Sequence, residues 1–140
     1  MIYLDTSALV KLIRPEVESG ELAAWLNVRQ SEHAVTSKLT EVELPRALRR
    51  EEPARLAAVP GVLARLDRFD IDDAVRATAG AYPHRHLRSL DAIHLATADH
   101  LVASGKTLTA FVTYDTRLIT IAKDIGLATA TPGRPAPYGG

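Results

Sequence analysis

Short, wholly apolar runs alternate along this chain with longer stretches that are apolar on one side only. The run IYL, closed by Asp5, has the pattern of a short strand buried on both faces. TSALVKLI follows as a helix, with Thr6 or Ser7 expected at its cap. Residues 16–29 place Leu22, Trp25 and Leu26 on one stripe and predict a second helix. Residues 33–36 read as a weak strand and residues 37–51 as a helix. Pro53 and Pro60 then divide the next helical stretch into two short pieces, since each lacks the amide a helix needs.

Residues 68–71 read as a strand, with Asp72 capping the helix after it, and PHRHLRS (residues 83–89) as a loop. Residues 90–103 carry the strongest helical pattern, closed by Gly105 as a C-terminal cap. Residues 110–113 form an apolar strand, residues 115–124 a helix ended by Gly126, and residues 127–130 a last strand. Residues 132–140 are rich in Pro and Gly and are expected to form a flexible tail. Strands alternating with helices define an α/β fold: one domain, with a central parallel sheet of about four or five strands flanked by helices on both faces. Sites in such sheets form beyond the carboxyl ends of the strands. Asp5, after IYL, and Asp115, after FVTY, stand at two of those ends.

Composition narrows the chemistry. The chain has 140 residues, 46% of them hydrophobic, enough for one domain with a real core. Lys plus Arg and Asp plus Glu both number 17, so the formal net charge is zero and any basic footprint for nucleic acid has to be local. The absence of cysteine excludes thiol catalysis, thiolate zinc and disulfides. Asp5 and Lys11 interrupt the apolar N-terminal run, which is too short for a signal peptide or a membrane span. A soluble cytoplasmic protein without a membrane partner is the expectation.

Two acids lie where a helix should be apolar. LTEVELPRAL holds Glu41 and Glu43. With Glu43 at zero on a helical wheel, Leu39 and Ala47 flank it at about 40°, with Val42 and Leu44 at about 100°, while Glu41 falls about 160° away. Glu43 is therefore expected at the centre of the apolar arc and Glu41 in water. Pro45 should kink that helix. In LDAIHLATADHLV, Leu95, Ala98 and Val102 lie within about 40° of Asp91, which again heads an apolar stripe. Each acid alone has an ordinary reading. Asp5 and Asp115 would serve a turn or cap, and Asp91 would be a favourable charge in a first helical turn.

Two acids at strand ends and two on inward helix faces are together expected to converge on one pocket. Carboxylates within about 6 Å of one another repel by roughly 3 kcal/mol per ionised pair at an effective dielectric near 20. Such a cluster takes up protons or holds divalent cations, and an all-oxygen set selects hard ions, Mg²⁺ or Mn²⁺. Carboxylate-held Mg²⁺ suits attack on a phosphodiester.

MIYLDTSALVKL, LTEVELPRAL, LRSLDAIHLATA and FVTYDTRL, in that order, resemble the PIN domain and in particular the VapC-type toxin nucleases. The resemblance implies a PIN-like domain over residues 1–131 and an acidic quartet at Asp5, Glu43, Asp91 and Asp115, all candidate metal ligands. Ser7 matches the small polar residue after the first acid, and Thr113 a hydroxyl that helps order the site. It further implies an Mg²⁺- or Mn²⁺-dependent endoribonuclease using metal-activated water. Such a chain would often be a homodimer, neutralised by a cognate antitoxin whose C-terminal arm enters the cleft. The same fold could also serve a housekeeping RNA-processing nuclease, or a catalytically weak protein that binds RNA or antitoxin.

Other polar residues carry less. His94 lies about 60° from Asp91 and is expected to be a half-buried polar residue rather than a ligand or proton donor. Arg46 and Arg50 fall on the side of Glu43 and are candidates for phosphate contact, unless Glu51 and Glu52 balance them. Arg88, in a loop with His84, Arg85 and His86, is a further RNA candidate or a solvated charge. Trp25 is expected in the core or a dimer interface. A haloacid-dehalogenase-type phosphatase would need an acid where Ser7 stands, and a receiver domain would need a lysine after its last strands.

Overall fold

A computed structural model describes residues 1–135 of the chain. Five strands, β1 (Ile2–Leu4), β2 (Ala34–Ser37), β3 (Asp67–Phe69), β4 (Ala110–Val112) and β5 (Thr129–Ala130), form one sheet in the order β3-β2-β1-β4-β5. Every neighbouring pair is parallel, with Tyr3 opposite both Val35 and Phe111. The crossovers are α1 (Thr6–Ile13), α2 (Ser19–Asn27), α3 (Thr40–Glu51), α4 (Val59–Leu63), α5 (Asp73–Ala81), α6 (Ser89–Ala103) and α7 (Thr116–Asp124). A 3₁₀ turn over Pro53–Ala58 precedes α4, so the two prolines divide this stretch as expected.

Strand periodicity sorts the core into two layers. In β1, Ile2 and Leu4 point to one face, where they meet Leu9 of α1, Leu22 of α2, Leu44 and Leu48 of α3 and Leu63 of α4. Tyr3 points to the other face, against Leu95 and Ala98 of α6 and Leu118 and Ile121 of α7. Both faces of the sheet are thus covered, which is why its central strands read as unbroken apolar runs. Trp25 packs at the edge of the first layer with the Arg29 guanidinium 4.0 Å from its ring centre.

Several expected boundaries move, each for a local reason. Asp5, rather than Thr6 or Ser7, caps α1: its backbone is extended and its carboxylate accepts the Ala8 N–H at 3.0 Å. The second helix begins at Ser19, because Glu16 and Glu18 are drawn to the ammonium of buried Lys11. The third begins at Thr40, after a turn in which the Ser37 hydroxyl accepts from the Leu39 N–H and the Ser37 carbonyl from the Thr40 hydroxyl. It continues unbroken through Pro45 to Glu51. Asp72 caps α5 and Asp115 caps α7, and Gly105 and Gly126 adopt the positive φ that a helix-ending residue needs.

The sheet order places β1 beside β4, with the chain running outward to β2 and β3 on one side and to β5 on the other. That is the topological switch point, where the connections diverge and leave a crevice beyond the strand ends. Of the expected flexible tail, Pro132 and Arg134 contact Tyr114 while residues 136–140 lie outside the described residues. Among the described residues no helix is long and apolar enough to cross a membrane.

Candidate active site

The four acids singled out in the sequence come from four elements, at the end of β1, on α3, in the first turn of α6 and at the cap of α7. Asp5 follows β1 directly and is only 3% exposed. One of its oxygens accepts from the Ser7 hydroxyl at 2.6 Å and from the Ala8 amide, and the other from the Thr113 hydroxyl at 2.5 Å. Burial pushes this carboxyl up, and the positive field of His94 with the Ser7, Thr113 and Ala8 donors opposes the rise. Thr113 also accepts the Asp115 amide at 3.2 Å, and Ser7 the Tyr114 amide at 2.9 Å. The turn leaving β4 is thereby laced to the turn leaving β1. Ser7 and Thr113 thus both donate to the first acid.

Glu43 arrives from α3. The buried stripe of that helix is Thr40, Leu44 and Leu48, so Glu43 sits at its edge rather than at its centre, and Val42 faces water at 62% exposure. The wheel erred because Leu39 precedes the first helical residue and Ala47 is only half-buried. Glu41 does point away, to the Arg68 guanidinium. Glu43 Oε1 accepts from the Thr6 hydroxyl at 2.7 Å and lies 2.7 Å from His94 Nε2. Burial pushes the Glu43 carboxyl up, but the hydrogen bond and charge of His94 and the Thr6 hydroxyl outweigh it and hold the group below its ordinary value.

His94 is a correction. It is 1% exposed, not half-buried. Its Nδ1 lies 2.7 Å from the hydroxyl of Tyr3, which is itself buried and stacked on Phe111 with ring centres 5.0 Å apart. Burial and the charge of Asp5 hold the Tyr3 hydroxyl well above its ordinary range, so it stays protonated. That hydroxyl is hydrogen-bonded to Nδ1, and Nε2 on the other side of the ring is hydrogen-bonded to Glu43. A chain of hydrogen bonds thus runs from beneath the sheet to an acid at its rim. Sequence reasoning missed Tyr3, Thr6 and the depth of His94. Their signal is a polar aromatic within an aliphatic strand and a histidine one turn after Asp91.

Asp91, in the first turn of α6, is half-buried with its carboxyl pushed up to about 6, first by burial and then by the charges of Asp115, Asp5 and Glu43. All four acids therefore share one field. Asp115 spends one oxygen on its cap, accepting the Leu118 amide at 3.0 Å. The acids share a field without touching. Among the described residues no three His, Asp or Glu side chains are grouped closely enough to hold one ion as they stand. Asp5, Glu43 and Asp115 are each tied to donors of their own element or of a neighbour.

Glu51 and Glu52 pair with Arg14, and Glu52 also with Arg55, so neither balances Arg46 or Arg50. Arg46, Arg50 and Arg88 are exposed and, among the described residues, form no ion pair.

The sequence from Ile2 to Asp124 matches the PIN domain family (residues 2–124). The chain belongs to the PIN-domain family. Among its PIN-domain relatives is Ribonuclease VapC35 of Mycobacterium tuberculosis, 60% identical over 134 residues that cover 96% of this chain and 98% of the relative. Ribonuclease VapC47 of the same species is 43% identical over 136 residues, covering 95% and 98%. The crystal structure of M. tuberculosis VapC20, described as a sarcin-ricin loop cleaving toxin, superposes with a TM-score of 0.67 at 17% identity, covering 94% of this chain and all of that one. At that identity the likeness concerns the PIN fold alone.

Proposed function

We propose that this PIN-domain chain is a divalent-cation-dependent endoribonuclease acting as the toxin of a toxin–antitoxin pair. The observation that carries the reading is the shared field at the switch point. A half-buried Asp91 held up to about 6, first by burial and then by the charges of Asp115, Asp5 and Glu43, marks a site whose electrostatics call for a cation. Close relatives bearing the name ribonuclease supply the substrate class.

The residues fit a hard ion: the four acids offer carboxylate oxygens, and the chain contains no cysteine. Asp5 and Asp91 would be the principal ligands of Mg²⁺ or Mn²⁺, with Glu43 and Asp115 binding directly or through water. Bound there, such an ion supplies an activated water and positive charge at the scissile phosphate. The chain supplies orientation. Ser7 and Thr113 fix both oxygens of Asp5, and Thr6 and His94 hold one oxygen of Glu43 so that the other is left for the crevice. Arg46 and Arg50 on α3 and Arg88 at the start of α6 would hold the RNA backbone, free as they are of acidic partners among the described residues. A cognate antitoxin occupying the crevice would keep a cytoplasmic nuclease silent, and a homodimer would present two such crevices.

Incubating the purified chain with RNA and Mn²⁺, with and without EDTA, tests the reading, with Asp5→Asn as the control. EDTA-sensitive cleavage absent from the variant is expected. Equal cleavage by both proteins would overturn it.

A further inference from the structure

We infer that Arg134 is a positioning residue for Asp115, acting through a strap formed by the end of the described chain. The inference rests on reading the acid crevice as a cation site. After β5 the chain turns, with the Arg134 amide donating to the Thr131 carbonyl at 3.0 Å. It then lies against Tyr114, the residue between Thr113 and Asp115. Tyr114 is 5% exposed and donates its hydroxyl to the Pro132 carbonyl at 2.6 Å. Arg134 Nη1 donates to the Tyr114 carbonyl at 2.5 Å, and its guanidinium carbon lies 5.1 Å from the centre of the tyrosine ring. The Lys11 ammonium lies 4.8 Å from the same ring and is paired with Glu18 at 2.5 Å.

One peptide unit receives all of this. The carbonyl of Tyr114 and the amide of Asp115 belong to the same plane; Arg134 holds the oxygen, and the Thr113 hydroxyl holds the N–H. With both ends fixed the plane cannot rotate, and the direction in which Asp115 leaves the backbone is set. Gly133 is what lets the strap lie so close. Its φ is +90°, and a Cβ there would stand 2.9 Å from the Cα and Cβ of Glu18. Gly133→Ala should therefore lift the strap without altering any charge.

The test is direct Mn²⁺ binding, read from the electron paramagnetic resonance of free Mn²⁺, in six proteins: the unmutated chain, Arg134→Ala, Arg134→Lys, Gly133→Ala, Asp115→Asn and Asp115→Asn with Arg134→Ala. Removing a group that orients a metal ligand weakens binding by about tenfold or more. Arg134→Ala and Gly133→Ala should each do so, whereas adding Arg134→Ala to Asp115→Asn should change affinity by less than about twofold, since the strap acts through that acid. Arg134→Lys should recover part of the loss.

Unchanged binding in Arg134→Ala while Asp115→Asn weakens it would overturn the inference and leave the site intact. An equal loss in the Asp115→Asn background, or weak binding in Arg134→Ala but not Gly133→Ala, would reduce Arg134 to a bulk charge and overturn it as well. Failure of Arg134→Ala to fold would make the strap a brace only, which also contradicts the inference. No Mn²⁺ binding by the unmutated chain would instead remove the cation site on which it rests.

Discussion

Replacing Asp91 by Asn should stabilise the cation-free protein while destroying its activity. The Asp91 carboxyl is raised from 3.8 to about 6 by burial and by Asp115, Asp5 and Glu43. A shift of roughly two units corresponds to about 3 kcal/mol of penalty on the charged form. Asp91 is only half-buried, so solvent screening reduces this to about 1–1.5 kcal/mol. Loss of a favourable charge in the first turn of α6 removes a further few tenths. The net gain for Asp91→Asn is about 1 kcal/mol at pH 7.5, or about 3–5 °C in Tm for a domain of this size.

The sign follows from linkage. A folded pKa above the unfolded one means that the native state binds the extra proton, so the unmutated protein loses stability as pH rises from about 4 to about 6. The variant does not titrate there. Its advantage should be near zero at pH 4, grow through that window and be complete above it. A bound ion reverses the order: Mn²⁺ at a hundred times its Kd adds about 2.7 kcal/mol to the unmutated chain, and far less to the variant. Urea denaturation in EDTA and in Mn²⁺, at pH 4.5 and 7.5, provides the four comparisons. A variant less stable than its parent in EDTA at pH 7.5, or a gain independent of pH, would refute the shared field.

The same geometry fixes other outcomes. Asp5→Ala should abolish EDTA-sensitive RNA cleavage, measured on a fluorescent RNA, whereas Glu41→Ala, which disturbs only the Arg68 pair, should leave it within about twofold. His94→Leu should slow cleavage by about tenfold by freeing Glu43. It should also cost about 1–3 kcal/mol in chemical denaturation, because the Tyr3 hydroxyl is stranded in the core, and adding Tyr3→Phe should recover most of that stability but not the rate. Arg46→Gln and Arg50→Gln should each weaken RNA binding and lower the salt dependence of log K by about 0.7, with the fold unchanged.

Most of this architecture was legible because its signals are local. IYL, the Gly105 and Gly126 stops and the Asp72 cap each announce themselves within a few residues, and the alternation of strand and helix fixes a parallel sheet. Asp5 and Asp115 were visible as acids at strand ends, and sheet order supplied the fact that β1 and β4 are neighbours. What a wheel could not supply is depth. α6 is buried on several sides, from Ala92 through Ala98, so angular position around it separates little, and His94 was placed too near the surface. Glu43 was placed too deep, since the contacts of α3 depend on where the helix begins. The pairing of Glu51 and Glu52 with Arg14, and the strap over Tyr114, join residues far apart in the chain through side-chain reach that no periodicity encodes.

Anomalous diffraction from a crystal soaked in Mn²⁺ tests the central claim most directly. A manganese peak should lie in the crevice beyond β1 and β4, bonded to Asp5 and Asp91 with Glu43 and Asp115 around it, and should vanish in Asp91→Asn. Manganese bound only at another place on the surface, or a peak there indifferent to that substitution, would contradict the account.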